Sequence, residues 1–182
     1  MEGTPVADEG IAYVSTHEFG DQKRSIGVFL RHPYLGFIAK RSLYVGERSE
    51  VEAEVSAFTN ALRLGSDLGL DRLTVRAASS EFAAAVSLLL RREVDPSAGA
   101  LRYLGSDFDA LREVLRRFAA SFPDGMAIER AIAGDSGFCR AVFLAASAVP
   151  PPWAGSAEAD DPVARSHPNR PPKKWAAQRG SE

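Results

Sequence analysis

Carboxylates are the groups in this chain best suited to chemistry, because they can move a proton or hold a hard divalent cation. Glu50, Glu52 and Glu54 share one amphipathic stretch; His17, Glu18 and Asp21 follow an early apolar run, and Glu81 and Asp135 stand apart. On a helix, residues i and i+2 point to different faces, so only Glu50 and Glu54 can share one, and two carboxylates alone make a weak cation site. Glu54 is therefore expected to be a solvated side chain or the partner of a nearby arginine rather than a ligand. His17, Glu18, Asp21, Glu81 and Asp135 are polar residues of the kind turns use for backbone reasons, and they rank second as parts of a rebuilt acidic site. Cys139 is the only cysteine. That excludes an intramolecular disulfide and a cysteine-based zinc site, suits a reducing cytoplasm, and predicts a small buried apolar side chain. No nucleophile motif, Gly-rich phosphate loop or zinc-ligand spacing is present.

The cations form two candidate binding groups. Arg112, Arg116 and Arg117 lie on one predicted helix, with Arg91, Arg92 and Arg102 before it, and could contact phosphates or simply form a solvated face diluted by Asp109 and Glu113. Lys173, Lys174 and Trp175, in the run Pro171-Pro-Lys-Lys-Trp, combine charge with an aromatic that single strands could stack on or a partner's groove could accept. With 22 basic and 24 acidic side chains the net charge is −2, so any nucleic-acid or anionic surface must be met by a local patch. No apolar run approaches the ~20 residues of a membrane span. The acidic stretch Met1 to Gly10 lacks an apolar export segment. The expectation is a cytoplasmic protein with no membrane contact.

Positioning these groups falls to an α/β arrangement. Residues 11–14 (Ile-Ala-Tyr-Val) and 25–31 (Ser-Ile-Gly-Val-Phe-Leu-Arg), separated by the polar turn 18–23, read as a hairpin, and Gly36 to Val45 after His32-Pro33-Tyr34 adds a third antiparallel strand. Val51, Val55, Phe58, Leu62 and Leu68 then follow helical spacing, with Ser49 and Glu52 as a capping box and Gly69 as the stop. Leu73-Thr-Val75 predicts a buried strand parallel to the first, and 79–92 a second helix. Residues 93–106 are turn-rich; 107–121 form an amphipathic helix with Leu111, Val114, Leu115 and Phe118 on one face, capped by Asp107. Met126 to Ile132 alternates as a strand and 137–148 is an Ala-rich helix, for an order βββαβααβα. The domain is set at 11–148, after a flexible 1–10. Residues 149–182, crowded with proline and net positive from Pro162 onward, are expected to be a disordered tail.

Over residues 11–148 the chain resembles the ribonuclease H-like superfamily, of which ribonuclease HI and the RNase H domains of reverse transcriptases are members. Ser25-Ile-Gly-Val-Phe-Leu-Arg is similar to its second strand. Glu52-Ala-Glu-Val-Ser-Ala-Phe-Thr-Asn-Ala-Leu with Leu68-Gly-Leu-Asp-Arg-Leu-Thr-Val-Arg is similar to its Ala-Glu helix, Leu-Gly turn and fourth strand. Ala141-Val-Phe-Leu-Ala-Ala-Ser-Ala occupies the place of its last helix. The resemblance implies a five-stranded mixed sheet flanked by helices. It also implies a site where four carboxylates hold two magnesium or manganese ions that activate water and stabilise the leaving oxygen of a phosphodiester. Those carboxylates fall on Ser15, Glu54, Ala78 and Val142, so only Glu54 remains acidic. The loss of the other three implies a catalytically inactive module with no cofactor, binding nucleic acid (an RNA–DNA hybrid or a single strand) or a protein partner. Two alternatives stand beside it: an active Mg- or Mn-dependent nuclease with relocated ligands, and a structural homo-oligomer.

Overall fold

The computed structural model describes residues 8–34, 36–92, 99–148 and 150. Three strands come first: β1 (Glu9–Glu18), β2 (Lys23–His32) and β3 (Gly36–Glu47). The β1–β2 turn is tight, with Gly20, Asp21 and Gln22 all at positive φ (94°, 49° and 60°), a conformation that glycine and short polar side chains tolerate best. After α1 (Glu50–Asp67) come β4 (Arg72–Ala77), α2 (Ser80–Leu90), the single turn α3 (Gly99–Arg102), α4 (Phe108–Phe118), β5 (Gly125–Arg130) and α5 (Ser136–Ala146). The sheet order is β3-β2-β1-β4-β5; β1, β2 and β3 pair antiparallel, while β4 joins β1 and β5 joins β4 in parallel. This is the five-stranded mixed sheet the resemblance implied.

Side-chain alternation on the central strands splits the core in two. Ala12, Val14, Ile26, Val28 and Leu30 face α1, whose Ala53, Ala57, Phe58, Ala61 and Leu62 pack onto them. Burying Phe58 or Leu62 contributes about 1.5–3 kcal/mol each. Tyr13 and Phe29, on the opposite face, meet Ala141 of α5. The α5 backbone lies so close to the sheet there that a Cβ on Gly27 would overlap the Ala141 carbonyl, and one on Gly137 would enter the Tyr13 ring. Glycine at both points lets the helix dock.

The α1 capping box forms as expected: the Ser49 hydroxyl accepts from the Glu52 amide at 3.1 Å, and the Glu52 carboxylate accepts from the Ser49 amide at 2.7 Å. Other expectations are corrected. β1 begins at Glu9, inside the stretch 1–10 read as flexible, because Glu9 and Gly10 already pair with Arg72 and Leu73 of β4. Residues 93–106 are not all turns, since α3 lies within them and a 3-10 turn at Gly105–Asp107 begins there. Asp107 stands at the start of α4 but makes no side-chain cap bond; its backbone is already helical (φ −84°, ψ −4°) as that turn runs into the helix. Cys139 is exposed rather than buried, because α5 buries Gly137, Ala141 and Ala145, a strict i, i+4 row that Cys139 lies off. Residues 1–7 and the proposed tail from 151 onward, with Lys173, Lys174 and Trp175, lie outside the described residues. Among the described residues no helix is long and apolar enough to cross a membrane.

Candidate functional site

The C-terminal ends of the parallel neighbours β1 and β4 come level through the pairing of Val14 with Ala77. There they meet the N-terminal half of α1. The resulting cleft is lined by Val14, Ser15 and Thr16 of β1, Glu54 and Ala57 of α1, Ala77 and Ala78 at the end of β4, and Phe82 of α2. Three of the four positions to which the resemblance assigned acids, Ser15, Glu54 and Ala78, therefore share one cleft. Its water-accessible space is about 10 Å³, close to what one water needs. Val142 does not line it: this side chain is 41% exposed on α5. The α5 turn that carries it, from Ala141 to Ala145, lies over Gly27, the cross-strand partner of Ser15.

Glu54 is neither solvated nor paired with an arginine, contrary to expectation. It is only 7% exposed, and its Oε2 accepts a hydrogen bond of 2.9 Å from the Tyr103 hydroxyl. Burial pushes its carboxyl up to about 7, and the charges of Glu50 and Glu81 add to the rise, while the Tyr103 and Ser79 hydroxyls work against it. Burial and the adjoining Glu54 likewise push the Tyr103 hydroxyl up to about 12. The Ser15 hydroxyl, also buried, turns to the Thr16 carbonyl at 3.4 Å. Tyr103 went unnoticed in the sequence because it follows α3 in a stretch read as turns, 49 residues from Glu54.

No protein-family profile matches the sequence, and a search of curated proteins also returns no match. Solved structures do match. An RNase H1 from the halophilic archaeon Halobacterium salinarum is 23% identical and superposes with a TM-score of 0.58 over 77% of this chain and 96% of its own. An N-terminal RNase H domain from Mycobacterium tuberculosis, solved as a maltose-binding-protein fusion, gives 14% identity and a TM-score of 0.59 over 78% of this chain and 94% of the other. LC11-RNase H1, crystallised with an RNA/DNA hybrid, is 18% identical with a TM-score of 0.55 over 77% and 96%. The fold is that of ribonuclease H.

A ribonuclease H-like fold implies a pair of divalent cations at the cleft, and the donors present do not fit them. Two such ions need several hard, charged oxygens between them. The cleft supplies one carboxylate, already hydrogen-bonded and biased toward its neutral form, the neutral side chains of Thr16 and of Ser15, whose hydroxyl is turned to a backbone carbonyl, and the methyl of Ala78. Among the described residues no group of three histidine, cysteine or acidic side chains could hold a metal.

The other acidic candidates Glu18, Glu81 and Asp135 each have partners of their own. Glu18 binds Arg24 at 2.6 Å, Glu81 accepts from the Ser80 hydroxyl at 2.9 Å, and His17 packs edge-on to Phe19. Asp135 caps α5 by accepting from the Gly137 amide at 2.9 Å, and its other oxygen accepts from the Tyr13 hydroxyl at 3.1 Å and from Arg76 at 3.2 Å. On α4, Arg112, Arg116 and Arg117 are all exposed, opposite buried Leu111, Leu115 and Phe118. Arg116 is committed to Glu113 through two bonds of 2.8 and 2.9 Å, and Arg117 lies over the Phe118 ring. Of the three, Arg116 is the one held in an ion pair among the described residues.

Proposed function

We propose that this chain is a non-catalytic ribonuclease H-like module that binds nucleic acid, as an RNA–DNA hybrid or a single strand. One observation carries the reading. Where the fold brings its metal-binding positions together, the sole carboxylate is sealed by Tyr103 and its neighbours are Ser15 and Ala78. An active nuclease with relocated ligands is the weaker reading: Glu81 is near enough for its charge to raise the Glu54 carboxyl but accepts from the Ser80 hydroxyl, Glu18 and Asp135 are bound to Arg24 and to Tyr13 and Arg76, and among the described residues no three such side chains group together. The RNA/DNA hybrids bound in the structures of LC11-RNase H1 and of the foamy viral protease-reverse transcriptase support nucleic acid as the ligand class. With a net charge of −2, binding rests on local cations such as Arg112 and Arg117.

Self-association is a second reading favoured by one observation. Cys139, Val142, Phe143 and Ala146 form an outward row on α5, with Val142 41% and Phe143 70% exposed.

The experiment is fluorescence anisotropy of a labelled RNA–DNA hybrid titrated with the full chain at increasing salt. Affinity should fall with a log–log slope of about −2 to −3, as two or three phosphate contacts require, and Arg112→Glu or Arg117→Glu should each flatten that slope by about 1. No binding even at low salt, to the hybrid or to a labelled single strand titrated in the same way, would overturn nucleic acid as the ligand and leave a protein partner or a second copy.

A further inference from the structure

β5 is an edge strand: in the sheet order it has β4 on one side and, among the described residues, no strand on the other. In a parallel ladder, alternate residues turn both backbone N–H and C=O to the same neighbour. The Ala131 amide donates to the Ala77 carbonyl of β4 at 2.7 Å, so Glu129 and Ala127 share its direction and Ile128 and Arg130 aim their backbone groups outward. Beside this edge runs a groove of about 350 Å³ between β5 and α2, with Ala83, Ala84 and Leu88 of α2 and Ile128 of β5 as its apolar floor and Arg91 and Arg130 as its cations. Glu129, which also borders it, is held by Arg76 at 3.1 Å, and Arg91 donates to the neutral Ser87 hydroxyl at 3.0 Å.

We infer that this edge and groove form a docking site for an extended, acidic peptide segment of a partner protein, which adds to the sheet beside β5. Three features specify that occupant. Unpaired backbone groups on an edge recognise a strand rather than a helix. The alanine-lined floor accepts small apolar side chains. Arg91 and Arg130 complement carboxylates, which a strand can present together on one face. The site is separate from the cleft at Glu54 and stands whether or not that cleft is catalytic.

The test uses the full chain and a fluorescein-labelled Thr-Glu-Thr-Val-Thr-Glu-Thr peptide, which puts glutamate, valine and glutamate on one face. Comparison probes are the same peptide with lysine for glutamate and a labelled single-stranded RNA oligomer. The glutamate peptide should bind at least ~10-fold more tightly than the lysine peptide, and Arg91→Glu/Arg130→Glu should reverse that order. Ile128→Pro, which deletes an outward amide and which an edge strand can accommodate, should also weaken the glutamate peptide ~10-fold. Should Ile128→Pro fail to fold, by circular dichroism, the charge-reversal pair decides alone. Equal binding of the two peptides, or affinity unchanged by charge reversal, overturns the proposal. So does RNA that binds this groove in place of the peptide, seen as displacement of the glutamate peptide together with loss of RNA binding on charge reversal.

Discussion

The Tyr103 hydroxyl donates to Oε2 of Glu54 at 2.9 Å, joining the segment after α3 to the N-terminal half of α1 at the acid that lines the cleft. A buried carboxylate without compensation is costly, and here the compensation comes from a hydroxyl and from proton uptake rather than from a cation. That relationship makes several behaviours of the chain measurable.

The first is the pH dependence of stability. The folded carboxyl of Glu54 titrates near 7, above its ordinary 4.5, so the native state binds more protons than the unfolded chain between those values. The stability linked to this group is fully present below about 4.5 and is lost as pH rises through 7. Glu54→Gln keeps an acceptor for Tyr103 but has nothing to ionise. It should melt near the parent at pH 5 and higher at pH 8, by about 1–2 kcal/mol at roughly 2–4 °C per kcal/mol. Parallel pH profiles for the two proteins would show that Glu54 is not the perturbed group.

Tyr103→Phe removes the donor and keeps the ring. Above pH 7 it leaves an ionised, buried acceptor short of a partner, a loss of about 1–3 kcal/mol in thermal or denaturant unfolding. At pH 5 the loss should be smaller. Because the Tyr103 bond lowers the Glu54 carboxyl, the variant should titrate higher than the parent in carboxyl-carbon NMR; an unmoved midpoint would contradict the bond.

On the other sheet face, Asp135 links α5 to β1 and β4. Its burial works to raise the carboxyl, but the Gly137 amide, the Tyr13 hydroxyl and the charges of Arg31 and Arg76 outweigh that and hold it below its usual range. A depressed carboxyl stabilises the fold above its unfolded value and loses that contribution as pH falls through the folded one. Asp135→Ala, which also removes the α5 cap, should cost about 2 kcal/mol at pH 7, with the difference from the parent shrinking in acid. A constant difference down to pH 2 would refute the linkage.

How far the fold could be read from sequence depended on the range of each signal. The Ser49–Glu52 capping box spans three residues, so both of its hydrogen bonds were legible from spacing alone. The three-stranded meander was marked by its turns, and the convergence of Ser15, Glu54 and Ala78 followed from the superfamily resemblance. What sequence concealed was set by contacts between distant residues. Glu54 looked like a surface glutamate because Tyr103, which covers it, is brought there by the packing of the segment before α4. Cys139 looked buried on an Ala-rich helix until the close approach of Gly137, Ala141 and Ala145 to the sheet fixed which face turned inward. Glu113 was legible as a diluting charge beside Arg116, but its two-pronged bond to that arginine is a matter of side-chain geometry that spacing does not fix.

The proposed inactivity of the cleft around Glu54 rests on its lack of the acids that two-metal phosphodiester hydrolysis needs. Its most direct test is incubation of a labelled RNA–DNA hybrid with the full chain in magnesium and in manganese, with products resolved on a denaturing gel. An intact RNA strand is expected in both metals, identical for the parent and Glu54→Gln. Metal-dependent cleavage abolished by Glu54→Gln would contradict the claim and make Glu54 a working ligand.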